Sequence, residues 1–231
     1  MRLNRIIRTY AKKVDIGKKL FVLDSQVLGK SRPAIVSVDS ITNSCLSDEI
    51  FHVIEIKRLI NKYFNIGVVV DIGCARGAWV RWLATIEKVQ KVYGVEINAD
   101  LIAMMNSNNF NKKIGYLSGD LESQIFQLPE NELILLSGVL QCIYNLDQAL
   151  NNIRNSMSNF TIIARLPVFM HHKSIMVYQD GVIEIYIRNY YELIKKIKAS
   201  FTIVECVVSS EIMYVDNIIE PIFNIHIVLQ K

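Results

Sequence analysis

Apolar and polar positions alternate along this chain with two periods, one typical of buried strands and one typical of amphipathic helices. Apolar runs of strand length predict strands over residues 67–72, 91–97, 114–118, 132–137, 160–165, 201–208 and 222–230. Apolar residues that recur every three or four positions predict helices over residues 47–64, 78–88, 99–107, 146–157 and 189–199. Strands and helices therefore alternate through most of the chain.

Strands that alternate with helices of this length form β-α-β units, which build a parallel sheet with right-handed connections. The last two strands follow each other without a helix, so they are expected to pair antiparallel. The pattern predicts an α/β, Rossmann-like fold: a seven-stranded, mostly parallel sheet with an antiparallel terminal strand and helices on both faces. A chain of 231 residues with 51% hydrophobic content buries one sizeable core, which is assigned to residues 51–231.

Residues 1–50 form a predicted basic extension or cap that precedes this domain. Residues 1–32 hold nine Lys or Arg against two Asp, whereas the rest of the chain has a net charge of −3. Apolar residues recur at helical spacing near the start, so two interpretations stay open. One is an amphipathic helix that contacts anionic membranes or an acidic substrate, and the other is an ordinary helix that packs on the domain. Specific binding to nucleic acid is not expected.

The four cysteines are widely separated and form no C-x-x-C pair, which favours a reducing compartment. Neither a signal peptide nor an apolar run of about 18 residues is present, so a cytoplasmic location is expected. The basic extension leaves one alternative open, which is a peripheral position on the inner membrane. No His, Asp and Glu cluster has metal-ligand spacing, and no metal is expected.

A glycine turn joins the first predicted strand to the helix that follows it. Residues 68–77 read Val-Val-Val-Asp-Ile-Gly-Cys-Ala-Arg-Gly. Glycines let a ligand approach the bare backbone, and the unpaired N–H groups of the helix point at that ligand. Glu96 ends the next strand nineteen residues after Gly77, a distance that suits a carboxylate bonded to a ribose diol. The alternative is a pair of ordinary turn glycines.

The turn departs from the G-x-G-x-x-G spacing of nicotinamide dehydrogenases because Ala75 interrupts it. Segment 71–77 instead resembles the first motif of the class I methyltransferases that use S-adenosylmethionine, in which an acid precedes G-x-G-x-G. The resemblance covers residues 51–231 and continues in Gly119-Asp120-Leu121 and in the loop after the fourth strand. It implies a site for S-adenosyl-L-methionine built by Asp71, Gly73, Cys74, Ala75, Gly77, Glu96, Asp120, Leu121, Ser137 and Gly138.

Within this superfamily the chain is most similar to a small bacterial group associated with surface-polysaccharide biosynthesis. The resemblance implies transfer of a methyl group from S-adenosylmethionine to an oxygen or nitrogen of a small-molecule or sugar-containing acceptor. Two alternatives stay open. One is a non-catalytic module that binds S-adenosylmethionine, and the other is a nucleotide-cofactor oxidoreductase on a similar sheet.

Residues near the acceptor are expected after the fourth and fifth strands. Arg165 can form a bidentate pair with a carboxylate or phosphate of the substrate. The alternative is an ion pair with a neighbouring helix. His171 and His172 follow Arg165 and are candidates for a general base, or else exposed bystanders. Gln141, Tyr178 and Gln179 are the remaining candidates for substrate binding, and residues 166–188 are expected to form part of a substrate cap. His52 and His226 lie in apolar patterns and are predicted to be structural histidines with satisfied hydrogen bonds.

Overall fold

The computed structural model describes residues 46, 51–156, 158–179, 183–213, 220 and 222–231. Within these ranges the helices are α1 (Phe51–Tyr63), α2 (Ala78–Ala84), α3 (Ala99–Ser107), α4 (Leu146–Asn155) and α5 (Tyr190–Lys198). The strands are β1 (Gly67–Ile72), β2 (Val89–Glu96), β3 (Ile114–Ser118), β4 (Leu133–Ser137), β5 (Phe160–Phe169), β6 (Ile175–Gln179), β7 (Ile183–Asn189), β8 (Thr202–Met213) and β9 (Ile222–Gln230). A short 3₁₀ turn, Leu140–Cys142, follows β4.

Seven of these strands form the main sheet in the order β3-β2-β1-β4-β5-β9-β8. The first five are parallel to one another, and β9 runs antiparallel between β5 and β8. The predicted Rossmann-like sheet with an antiparallel strand is therefore confirmed. The chain passes from β1 to β2 on one side and later to β4 on the other, so β1 and β4 flank the switch point where open α/β sheets bind ligands.

The segment after the predicted fifth strand differs from the expectation. β5 continues to Phe169 instead of ending near residue 165, and β6 and β7 form an antiparallel hairpin. β7 joins the far end of β5 through the pairs Val168–Arg188 and Phe169–Asn189. Alternating apolar residues signal this hairpin, and two of them, Val177 and Ile187, are buried against the end of β5. The hairpin lies within residues 166–188, whose role as part of a substrate cap stays a prediction.

Apolar layers cover both faces of the sheet, as predicted. Helices α1, α2 and α3 pack on one face, around residues such as Val69 and Leu135. Helices α4 and α5 pack on the other face, around their neighbours Val70 and Ile134. Adjacent residues of one strand point to opposite faces, and both layers are apolar, as expected for a parallel sheet buried on both sides. Of residues 1–50, only Leu46 lies within the described part of the chain, and it packs against the α1–α3 layer.

An ion-pair network fastens α1 to the edge strand β8. Glu205 accepts hydrogen bonds from Arg58 at 2.5 Å, Lys62 at 2.7 Å and the Tyr63 hydroxyl at 2.6 Å. Partial burial by itself would raise the pKa of the Glu205 carboxyl, but these three donors lower it to about 2. The network therefore stabilises the fold through an ionised carboxylate.

We predict that this network makes the fold sensitive to acid. The folded-state pKa of Glu205 lies below its ordinary value of 4.5, so its stabilising effect is complete above that pH and is lost as the pH falls towards about 2. Urea unfolding from pH 6 to pH 3 should show a steeper loss of stability in the wild type than in Glu205→Gln. The control is Asp147→Asn, which removes an exposed pair with Lys196 and should follow the wild-type slope. Equal slopes in all three proteins would contradict the prediction.

Candidate active site

The turn between β1 and α2 places alternate residues in left-handed backbone. The φ angles are 69° at Gly73, 46° at Ala75 and 72° at Gly77. The N–H groups of Gly73 and Cys74 donate to the Val95 carbonyl at 2.7 and 3.0 Å, which fastens the turn to β2. The turn is therefore held from the neighbouring strand, and its backbone faces the switch point of the sheet.

Ala75 takes a conformation that suits glycine better than alanine. A left-handed backbone costs a residue with a Cβ about 1–2 kcal/mol. The Ala75 N–H donates to the Glu96 Oε2 atom at 3.0 Å, a charge-assisted hydrogen bond that opposes this cost. The alanine that replaces the expected middle glycine thus keeps the backbone conformation of a glycine.

Glu96 stands at the carboxyl end of β2 with its carboxylate held in place. Besides the bond from Ala75, its Oε1 atom accepts the Ile97 N–H at 2.9 Å and the Asn98 N–H at 3.3 Å. A carboxylate offers about four acceptor positions, and three are used here, so about one on Oε2 remains for a hydroxyl donor of a ligand. The Glu96 carboxylate is therefore an oriented hydrogen-bond acceptor at the edge of the turn.

Asp71 lies beneath the same turn and is 2% exposed. Its Oδ2 atom has no hydrogen-bond partner within the described residues. Burial, and then the nearby charge of Glu96, raise the pKa of the Asp71 carboxyl well above its usual range. Burial also raises the pKa of the neighbouring Cys74 thiol, with further contributions from Asp71 and Glu96. The unpaired Asp71 Oδ2 atom therefore lies buried near the Glu96 carboxylate.

The loop after β3 brings Asp120 to the same edge of the sheet. Its Oδ1 atom accepts the Glu122 N–H at 2.9 Å, so this side chain shapes a turn as well as facing the edge. Leu121 is 3% exposed and packs in the core with α4, and Asn152 donates to its carbonyl at 2.7 Å. Leu121, expected to contact a cofactor, therefore has its side chain in the core.

Ile97 and Val139 also lie beside the turn, although the sequence did not indicate either residue as a candidate for the site. Ile97 directly follows Glu96, and 49% of its surface is exposed. An apolar residue just after a strand-ending acid was the available signal. Val139 packs against Gly73 so closely that a Cβ at Gly73 would stand 2.3 Å from the Val139 Cγ2 atom. The turn thus touches the loop after β4.

The exit of β4 lies next to the turn. Gly138 has a φ of 74°, and its N–H donates to the Ala164 carbonyl at 2.9 Å. The Ser137 Oγ and Gln141 Oε1 atoms are buried and have no hydrogen-bond partner within the described residues. Buried polar atoms are normally paired, so these two mark a place where a ligand or water completes the structure.

Arg165 stands at the same edge, one strand further along the sheet. It is exposed, and its φ of 57° places it in the left-handed region. The pairing of β5 with β9 shifts register between Ile163 and Leu166, so the strand bulges at Arg165. Its Nη1 atom lies 3.5 Å from the position that a Cβ on Gly138 would occupy. The structure therefore brings Arg165 together with the loop after β4.

His171 and His172 are placed differently from the expectation. The edge of the sheet is marked by the pair Ser137–Ala164, beyond which β5 continues for five more residues. The five strand residues beyond this edge span about 16 Å at roughly 3.3 Å each, and His171 and His172 follow them. The histidines therefore follow a longer strand than predicted, and their role as a general base stays a prediction.

Hydrogen bonds to Glu220 hold the backbone of the segment that carries both histidines. The His171 and His172 N–H groups donate to Glu220 at 2.7 and 2.5 Å. The His172 Nδ1 atom lies 2.8 Å from the Lys173 carbonyl, and its ring contacts Phe169 with 5.0 Å between centroids. Tyr178 and Gln179, predicted to bind substrate, end strand β6, and their side chains lie outside the described part of the chain.

The sequence did not indicate that Arg188 is a buried residue next to the site, because a charged residue in a strand normally faces solvent. It is 9% exposed, and its guanidinium donates to the Leu140 carbonyl at 2.8 Å and to the Ile143 carbonyl. The guanidinium also lies over the Tyr186 ring, 5.3 Å from its centroid. Burial lowers the pKa of Arg188 to about 10, so it stays protonated at neutral pH. The hairpin thus holds the 3₁₀ turn after β4.

His226 contradicts the prediction of a satisfied structural histidine. It is fully buried on β9, and neither ring nitrogen has a hydrogen-bond partner within the described residues. Burial, followed by the positive charges of His52, Arg165 and Arg58, lowers the pKa of His226 to about 3. The ring is therefore neutral, and it lies behind the bulge of β5.

Part of the chain resembles a known protein family. Residues 70–159 match the model of a family described as a methyltransferase domain. No curated protein sequence matches the chain significantly. Among the described helices, none combines the length and the apolar character that a membrane crossing needs.

Solved structures share the fold at low sequence identity. An S-adenosylmethionine-dependent methyltransferase of Mesorhizobium loti is 15% identical, with a TM-score of 0.56 over 77% of this chain and 97% of that one. The 1,6-didemethyltoxoflavin-N1-methyltransferase of Burkholderia thailandensis is 13% identical, with a TM-score of 0.54 over 76% of each chain. The [4+2]-cyclase SpnF is 12% identical, with a TM-score of 0.52 over 68% of this chain and 60% of that one.

The family match begins in β1 and spans the glycine turn, Glu96, Asp120 and the exit of β4. It therefore covers the part of the sheet that carries the predicted cofactor site. Together, the domain match over residues 70–159 and the shared fold support the prediction of an S-adenosylmethionine-dependent methyltransferase.

Proposed function

We propose that this chain transfers the methyl group of S-adenosylmethionine to an oxygen or nitrogen of a small-molecule or sugar-containing acceptor. The observation that carries the proposal is the Glu96 carboxylate, held 3.0 Å from the Ala75 N–H beside the switch point of the sheet. An oriented carboxylate next to a side-chain-poor turn suits a hydroxyl of a ribose. The resemblance to a group associated with surface polysaccharides supports a sugar-containing acceptor.

Each end of the donor has residues that fit it. Glu96 would accept a ribose hydroxyl, while the exposed Ile97 side chain and Asp120 would meet the adenine. Asp71 Oδ2 and Ser137 Oγ are buried without hydrogen-bond partners among the described residues, and they would receive the amino-acid tail. Acidic groups at this corner favour a ligand that carries a sulfonium and an ammonium.

The donor supplies an activated methyl group, so the protein chiefly needs to position the reactants. The bond from sulfur to the methyl carbon breaks as the bond to the acceptor atom forms, and the acceptor proton leaves to solvent or to a base. Holding the reactants in line supplies about 7–11 kcal/mol of the barrier reduction. In this chain the buried Arg188 holds the Leu140 and Ile143 carbonyls, which fixes the loop against which both reactants would lie.

We predict that replacement of Glu96 weakens donor binding. Isothermal titration with S-adenosylhomocysteine should give an affinity for Glu96→Ala at least about tenfold below the wild type, because a hydrogen bond to a charged group is worth roughly 1.5–3 kcal/mol. Glu130→Ala removes an exposed glutamate elsewhere and should bind as the wild type does. Tight binding of NAD with no binding of S-adenosylhomocysteine would instead support an oxidoreductase.

A donor-binding module without methyl transfer is the second candidate. The extension of β5 past the Ser137–Ala164 pair, which precedes His171 and His172, favours this candidate. The cyclase SpnF shares the fold, so such a sheet also serves other chemistry. Transfer of radioactive methyl from S-adenosylmethionine into a cell-envelope extract separates the two candidates. We expect incorporation that Glu96→Ala abolishes. Donor binding of normal strength without incorporation would support the module.

We further infer that residues 1–32 hold the protein at an anionic membrane surface, where a sugar-containing precursor would be found. Their nine cations lie outside the described residues, and each cation near such a surface contributes about 1 kcal/mol. Removal of residues 2–14 deletes five of these cations and should abolish sedimentation with phosphatidylglycerol vesicles. Sedimentation with neutral phosphatidylcholine vesicles is the control. Unchanged sedimentation of the shortened protein would contradict this inference.

A further inference from the structure

We propose that a cleft on the outer side of the glycine turn binds a small aromatic anion, a flat ring that carries a phosphate or a carboxylate. The lining of this cleft comes from the turn, from α2 and α3, from the loop 108–111 and from β3, and we call it the α2–α3 cleft. The inference goes beyond the proposed function, because none of the residues proposed to hold the donor lines this cleft.

The α2–α3 cleft is large enough for a small molecule and has an apolar floor. Its volume is about 440 Å³, which lies within the range of small-molecule sites. The side chains of Leu101, Met105 and Ile114 line it and are buried. A ligand with an apolar body would therefore remove further apolar surface from water when it enters.

Two arginines give the α2–α3 cleft its charge. Arg76 and Arg81 line it, and no Asp or Glu does so among the residues that the structure describes. A guanidinium presents five N–H donors in a fixed plane, and this geometry matches the oxygens of a carboxylate or a phosphate. The lining therefore favours a ligand with negative charge.

Arg81 is held in position by the protein itself. Its Nη1 atom donates to the Arg76 carbonyl at 2.6 Å, and its guanidinium also hydrogen-bonds the Tyr116 hydroxyl. Tyr116 lines the cleft and packs against Gly77, where a Cβ would stand 2.7 Å from the Tyr116 hydroxyl. A guanidinium has more donors than these two contacts use, so Arg81 can serve an anion without leaving its place.

Phe110 lies at the mouth of the α2–α3 cleft with 93% of its surface exposed, the largest value for a large apolar residue of the described chain. Hydrogen bonds order the loop that carries it. Asn109 Nδ2 donates to the Ile114 carbonyl at 3.0 Å, and Asn109 Oδ1 accepts the Asn111 N–H at 3.0 Å. Single exposed apolar residues are common, but this ring adjoins a buried apolar floor. It therefore offers a stacking face to a planar ligand.

An anionic membrane is the other partner that an exposed ring beside Lys112 and Lys113 suits. A bilayer contacts side chains that protrude from the surface. The floor residue Leu101 and the wall residue Tyr116 are instead buried within the cleft. The recessed apolar floor thus favours a small molecule over a membrane.

The test uses the full chain with two variants that change different parts of the α2–α3 cleft. Arg81→Gln removes a positive charge, and Phe110→Ala removes the ring at the mouth. The matched controls are Arg154→Gln and Tyr191→Ala, which alter an exposed arginine on α4 and an exposed aromatic residue on α5, both on the opposite face of the sheet. Thermal unfolding checks that each variant folds, and the high exposure of Phe110 makes its removal harmless to the core.

The probe is 1-naphthyl phosphate, titrated by its fluorescence with and without saturating S-adenosylhomocysteine. Inorganic phosphate and 1-naphthol test the anion and the ring separately. We expect 1-naphthyl phosphate to bind more tightly than either part, and S-adenosylhomocysteine to leave its affinity unchanged. Arg81→Gln should lower that affinity about tenfold or more, and Phe110→Ala about threefold or more, while both controls bind as the wild type does.

Four results would overturn the proposal. The first is a wild-type chain that does not bind 1-naphthyl phosphate, and the second is an affinity that Arg81→Gln and Phe110→Ala leave unchanged. The third is displacement of the probe by S-adenosylhomocysteine, which would place the probe in the donor site. The fourth is a Phe110→Ala variant that binds the probe normally but no longer sediments with phosphatidylglycerol vesicles, which would assign the ring to a membrane.

Discussion

The hydrogen bond from the Ala75 N–H to the Glu96 carboxylate is the contact on which the site depends. It joins the turn after β1 to the end of β2, and it stabilises an alanine in a conformation that normally requires glycine. The same bond orients the carboxylate towards the switch point. Turn and acid therefore form one unit, in which the strain of the alanine is offset by a charged acceptor. The buried Asp71 beneath this unit adds an unsatisfied oxygen to a corner already rich in negative charge.

The candidate site has two halves, and they differ in how far the match to the methyltransferase domain covers them. The half on β1, β2 and β3 belongs to the fold shared with methyltransferases and lies within the matched residues 70–159. The half on β4 and β5 is shaped by features outside that match: the bulge at Arg165 and the hairpin that carries Arg188. The shared fold therefore includes the proposed donor site, whereas Arg165 and Arg188 lie outside the matched residues.

Local patterns made the donor half predictable from the sequence. The apolar runs, the glycine turn and the spacing to Glu96 are short-range signals, and the structure places them as expected. The half on β4 and β5 was harder, because the apolar run predicted a strand that ends at residue 165, whereas β5 continues to Phe169. That extension lies between the Ser137–Ala164 pair and His171. The burial of Arg188 depends on carbonyls more than forty residues away in sequence, which no local pattern reveals.

The most direct test of this account is a crystal structure of the chain grown with saturating S-adenosylhomocysteine. We expect a ribose hydroxyl within hydrogen-bond distance of the Glu96 carboxylate, with Ala75 still in left-handed backbone and still donating to that carboxylate. A corner between β1 and β2 that stays empty, or a ligand bound elsewhere on the sheet, would contradict the account.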